Sequence, residues 1–145
     1  MPSCTFFGHR DCPDTIRPAL RAVITDLIEN HGVNLFYVGN QGHFDAMTRS
    51  VLRELGRLYP QIEYAVVLAY LPVKHSADDD FSDTMLPEGI ETVPKRFAIA
   101  WRNKWLVDSS DYVVTYLTHT WGGAAKYAEL AQKKGKTIIS LGHPA

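Results

Sequence analysis

The chain has 145 residues, 46% hydrophobic and 21% charged, a balance that predicts one globular domain with its own core. A formal net charge of −1 argues against a dedicated binder of duplex DNA, and no apolar run nears the roughly 20 residues that span a bilayer, so no membrane association is expected. The opening Met-Pro-Ser-Cys-Thr-Phe-Phe lacks the basic start and cleavage site of a secretory leader, and Cys4 and Cys12 fit neither a zinc spacing nor a disulfide framework; a cytoplasmic location with reduced thiols is the expectation.

In chain order, residues 3–7 form a short apolar strand followed by a turn-like Gly-His-Arg-Asp-Cys-Pro. Asp14 or Thr15 is placed to cap a helix whose first turn tolerates Pro18. Ile16, Leu20, Val23, Ile24, Leu27 and Ile28 then recur at helical spacing, and Gly32 takes the left-handed closing position. A strand at 35–38 leads into a helix over 44–58, striped by Phe44, Met47, Val51, Leu55 and Leu58 and ended by Pro60. Residues 62–70 are apolar nearly throughout, as suits a parallel strand covered on both faces. Residues 71–94, rich in Pro, Asp and Gly, show no period and read as one long loop. A helix over 97–107, a strand over 112–117, a helix over 123–134 ended by Gly135 and a strand over 137–141 follow. This alternation predicts a single domain over residues 1–145 of the α/β class: a Rossmann-like doubly wound parallel sheet of about five strands, with helices on both faces.

Glycines stand just past the ends of three of these strands, at Gly8, at Gly39 and Gly42, and at Gly122-Gly123. Glycine lets a backbone approach a ligand, and a helix start offers free N–H groups. In such a sheet ligands bind outside the strand carboxyl ends, so the loops are expected to converge on one crevice for a nucleotide or phosphorylated sugar. The alternative is three ordinary turns that need glycine. Arg10 is able to grip a phosphate, or to pair with Asp11 or Asp14. His9 and His43 fall on the same side without a third ligand, so neither a metal nor a cofactor is expected.

Arg102 sits in a helix otherwise built of Phe97, Ala98, Ile99, Trp101, Trp105 and Leu106, where a cation needs solvent or a partner anion. Glu129, near two turns into the helix after Gly123, is able to point back toward the crevice. A solvated helix face is the alternative for both. Asn103 and Asp45 are weaker polar candidates on the same rim. Asp78, Asp79, Asp80 and Asp83, in and around the acidic stretch 74–89, are able to hold Mg²⁺ or simply to face water.

Three segments together resemble the SLOG superfamily, which joins the Smf/DprA proteins to the LOG phosphoribohydrolases. They are Phe6-Phe7-Gly8-His9-Arg10, Gly39-Asn40-Gln41-Gly42-x-x-Asp45, and Arg102-Asn103 with Asp111-Tyr-Val-Val, Gly122-Gly123 and Glu129. The resemblance is nearest to the small bacterial YpsA/YspA-like branch and covers nearly the whole chain. LOG enzymes carry Arg-Lys and then, after a strand, Pro-Gly-Gly-x-Gly-Thr-x-x-Glu. Here the same register reads Arg102-Asn103, then Trp121-Gly122-Gly123-Ala124-Ala125-Lys126-Tyr127-Ala128-Glu129.

By that match Arg102 and Glu129 fall on the family's catalytic arginine and glutamate. The resemblance implies hydrolysis of the N-glycosidic bond of a nucleoside 5′-monophosphate, with the carboxylate stabilising an oxocarbenium-like centre or activating water and the arginine holding substrate. Gly8, His9, Arg10, Gly39, Asn40, Gln41, Gly42, Asp45, Asn103, Trp121, Gly122, Gly123 and Ala124 are the implied ligand and phosphate contacts. Trp121, Ala125 and Lys126 replace the family's proline, third glycine and threonine. That altered cradle suits a changed substrate or a non-catalytic sensor of a nucleotide-derived signal. The LOG resemblance also implies a homo-oligomer, and the helix bearing Trp101 and Trp105 offers more apolar area than one face of a small domain usually buries. A protein-interaction module is the remaining alternative.

Overall fold

The computed structural model describes residues 2–70 and 82–142. Its strands are β1 (Ser3–Gly8), β2 (Leu35–Val38), β3 (Glu63–Val67), β4 (Thr84–Met85), β5 (Tyr112–Tyr116) and β6 (Thr137–Ser140). The helices are α1 (Arg17–His31), α2 (Gly42–Leu58), α3 (Lys95–Asp108) and α4 (Gly123–Lys133). All strand pairs are parallel, in the order β4-β3-β2-β1-β5-β6.

The chain winds outward from β1 through β2 and β3 to β4, then returns across β1 to β5 and β6. Right-handed crossovers in opposite directions put helices on opposite faces of a sheet. Here α1 packs on α2, and α3 on α4. Strand alternation supplies both cores. Cys4, Phe6 and Val114 join Leu20, Ile24, Phe44 and Leu55 on one face, and Phe7, Val67 and Val113 join Leu106, Val107 and Tyr127 on the other. The Rossmann-like doubly wound sheet is the fold that the strand–helix alternation predicts.

Four local expectations are corrected. The sheet has six strands where about five were expected, because β4 lies in the stretch read as a loop; two residues are too few to show a period. Asp83 is not solvated: its carboxylate pairs with Arg49 at 2.5 Å and accepts from the Tyr64 hydroxyl at 2.9 Å. Asp78, Asp79 and Asp80 lie outside the described residues.

Neither Asp14 nor Thr15 caps α1; residues Asp14–Ile16 form a separate 3₁₀ turn, and the Asp14 carboxylate binds His43. Gly32 does close that helix in the left-handed conformation, at φ 66°. Leu58, the last residue of its stripe and of α2, is exposed. No described helix is long and apolar enough to cross a membrane.

Candidate functional site

The winding reverses between β1 and β5, so the loops leaving their carboxyl ends diverge and open a cavity of about 530 Å³. Gly8, His9, Arg10 and Asp11 enter it from β1, Gly39 and Gln41 from β2, and residues 119 and 121–124 from β5 and the start of α4. Ile99, Arg102, Asn103 and Leu106 of α3 form one wall, and Asp45 reaches in from α2. Gly42 and Asn40 line an adjoining depression that shares Gly39 and Asp45 with the first. The three glycine loops therefore lie side by side at one end of the sheet.

The glycines themselves divide into two groups. A Cβ on Gly8 would stand 2.3 Å from the Phe44 ring, and one on Gly39 would stand 2.7 Å from Asp45 Oδ2. Gly42 has φ +88°, and a Cβ there would meet the Arg10 backbone at 2.8 Å. The Arg10 carbonyl accepts from His43 N–H at 2.9 Å, so the first two loops are locked together. These three glycines answer to packing within the protein. Gly122, at φ +96°, is required by the turn into α4, and around Gly123 a Cβ would meet nothing within 4 Å. Of these five glycines, Gly123 alone would carry its Cβ into open space, and it lines the cavity.

Polar groups at the floor are held tightly. Arg102 is 2% exposed, and its partners are oxygens of three different segments. Its Nη1 donates to Val67 O at 2.7 Å and Asn40 Oδ1 at 3.2 Å, and its Nε to Asn103 Oδ1 at 2.9 Å. The guanidinium thus ties α3 to β3 and to the loop after β2, and the solvated alternative for Arg102 is wrong.

Asp45 is buried and accepts from Gln41 N–H at 2.8 Å. Burial pushes its carboxyl up to about 6, against the pull of that N–H and of nearby Arg102. Its carboxylate thus takes up the backbone N–H of the residue that opens α2. Arg10 is exposed and donates to Gln41 Oε1 at 3.2 Å, not to Asp11 or Asp14.

A column of three rings rises beside this floor. His9 stacks on His119 with centroids 3.6 Å apart, and His119 on Trp121 with centroids 3.9 Å apart, each pair within 20° of parallel. His9 is 7% exposed and Trp121 is 69% exposed, so the column runs from floor to mouth. His9 Nε2 is buried with no hydrogen-bond partner among the described residues. Burial, reinforced by the adjacent His119 ring, holds the His9 imidazole below its usual pKa and favours the neutral form. His119 was missed in the sequence; the signal available was the Thr118-His-Thr-Trp segment directly after a strand at the expected crevice.

Glu129 is placed elsewhere. Its side chain is 66% exposed, pairs with Lys133 at 3.1 Å, and lines a different depression with Thr115, Gln132 and Ser140. The expectation that it points back to the crevice fails because its helical position turns it toward Lys133, one turn further on. His43 binds Asp14 outside the cavity and does not pair with His9. Among the described residues no three His, Cys, Asp or Glu side chains gather as a metal site.

Trp101 packs half-buried against Ala69, Ile90 and Ala98, and Trp105 meets the Tyr37 ring edge-on at 5.0 Å. Both tryptophans thus serve the chain's own core; Phe97 and Ile99 remain exposed on α3.

No protein-family model matches this sequence, and no curated protein matches it. Among solved structures, DNA processing protein A (DprA) from Streptococcus pneumoniae matches with a TM-score of 0.70 at 14% sequence identity. The match covers 97% of this chain and 50% of that one, so the chain spans half the length of that protein. At this identity the likeness is one of fold. It is a fold that the SLOG resemblance implied.

Proposed function

We propose that the cavity between β1 and β5 binds a nucleotide or nucleotide-derived phosphorylated ligand. The observation that carries this is the open turn at Gly122-Gly123, where α4 begins beside the cavity with unencumbered backbone. A helix start of this kind favours an anion through its free N–H groups and dipole. Arg10, exposed at the rim, adds a cation, and the unpartnered His9 Nε2 adds a polar contact at the floor. The cavity volume lies within the roughly 300–1,000 Å³ usual for small-molecule sites. The resemblance to the SLOG superfamily, and within it to the YpsA/YspA-like branch, supports the same reading.

Within this reading we favour a sensor over a phosphoribohydrolase. Glu129, the residue in register with the LOG glutamate, faces away from the cavity. Arg102 is engaged by three protein oxygens, which suits a scaffold for the floor better than a substrate clamp. The test is to incubate the protein with nucleoside 5′-monophosphates and measure both thermal shift and released free base. Stabilisation without release is expected. Release that Glu129→Gln abolishes would restore the hydrolase reading, and the absence of any shift would remove the nucleotide reading.

Self-association is a separate part of the proposal, and α3 leaves Phe97 and Ile99 to support it. Light scattering at micromolar concentration tests it, a strict monomer being the refuting result.

A further inference from the structure

The exposed indole at the cavity mouth calls for a physical reason. Leaving a tryptophan 69% exposed forgoes most of the hydrophobic gain that the residue offers. Yet this ring is held in place: one face lies on His119, and His119 Nδ1 hydrogen-bonds the Trp121 carbonyl at 2.9 Å. His119 is backed in turn by the buried His9 ring. An aromatic cluster whose only task is to fasten the loop would draw its largest ring inward. Here the smallest rings are inward and the largest is presented outward, at a fixed tilt, on the lining of the cavity.

We propose that Trp121, positioned by His119 and His9, is a stacking platform for the planar heteroaromatic ring of the ligand. The proposal rests on the nucleotide reading of this cavity and deepens it by assigning the base. Trp121 immediately precedes Gly122-Gly123, so the indole and the open N-terminus of α4 belong to one turn. One turn therefore offers a π-face for a base and N–H groups for a phosphate. Stacking is tolerant of base identity, since every base has a π-face, and larger rings gain more area. A preference for purines over pyrimidines follows, without a strict choice among them.

The test compares AMP with ribose 5-phosphate, which carries the phosphate without the base, by titration calorimetry on the wild type, Trp121→Ala and Trp121→Phe. For Trp121→Ala, AMP affinity should fall roughly 5- to 100-fold while ribose 5-phosphate affinity stays the same, and Trp121→Phe should regain most of the loss. AMP should quench indole fluorescence in the wild type, and the quench should vanish in Trp121→Phe although Trp101 and Trp105 remain. This second readout keeps the test decisive if the alanine variant melts early. Equal weakening of both probes, or no change in either, overturns the platform while leaving the nucleotide reading intact. If the wild type binds none of AMP, GMP, CMP and UMP, the nucleotide reading itself falls, and the platform with it.

Discussion

The loops after β1 and β2 and the loop after β5 occupy equivalent places at the sheet's carboxyl end, and each carries glycine, yet they use it differently. In the first two, glycine makes room for the protein: Phe44 covers Gly8, Asp45 covers Gly39, and Arg10 crosses Gly42. The start of α2 is stoppered by the protein's own carboxylate. In the third, nothing lies within 4 Å of where a Gly123 side chain would begin. Glycine after a strand is therefore not in itself a mark of ligand approach. What distinguishes a cradle from a packed turn is whether the missing Cβ is replaced by protein.

The largest effect expected from this contrast is at Gly8. Gly8→Ala drives a methyl group into the Phe44 ring and should destabilise the fold by about 3 kcal/mol, lowering Tm on the order of 10 °C. A thermal melt within 2–3 °C of wild type, roughly 1 kcal/mol, would break the contrast. Gly39→Ala comes next, at about 1–2 kcal/mol, because the Asp45 carboxylate must swing aside; a crystal structure of the variant with Asp45 unmoved would contradict this.

Asp45 sharpens the comparison through pH. Its folded-state pKa of about 6 lies above the ordinary 3.8 expected of the unfolded chain, so between these values the folded state holds the extra proton. The stability this contributes is fully present below about pH 3.8 and is lost as pH rises through 6. Asp45→Asn removes the buried charge, so at pH 8 the variant should be more stable than wild type by up to about 3 kcal/mol, with the gap closing by pH 4. Urea denaturation at both pH values measures it; a gap that widens on acidification has the wrong sign for a desolvated carboxylate.

The smallest effect belongs to Gly123. With open space around it, Gly123→Ala should change stability by no more than about 0.5 kcal/mol, while a bound phosphate, if it sits there, should lose affinity to the added methyl. A large loss of stability would show that this turn is packed after all.

The fold was legible because its signals are periodic: strand runs alternate with helical stripes such as Phe44, Met47, Val51 and Leu55, whose side chains do enter the core. Boundaries and short elements were less so. β4 has two residues, and its edge position leaves it no burial pattern to display. The site was half-legible. The rule for ligands at strand ends found the cavity and most of its lining, since it depends only on topology. It could not say that Arg102 spends its donors on Val67, Asn40 and Asn103, because those partners come from other elements. Nor could it aim Glu129, whose direction depends on helix phase and on Lys133. His119 is not legible in the sequence, because a histidine between threonines shows no pattern until its two ring neighbours are brought together in space.

The placement of β1 at the middle of the sheet has a consequence for how the molecule assembles. Ser3 N–H donates to the Asp111 carboxylate and Asp111 N–H to the Ser3 carbonyl, each at 3.0 Å, a contact that closes a loop of 108 residues. During synthesis, the first three strands and α1 and α2 are free to condense while the other flank of β1 is still unpaired. The cavity does not exist at that stage, since two of its walls, α3 and the turn after β5, have yet to be made. Contacts this distant in sequence fold slowly and leave strand edges open meanwhile. The same switch point that creates the cavity therefore makes its completion wait for the second half of the chain, and a ligand that filled it would stabilise the closed fold and not the half-made one.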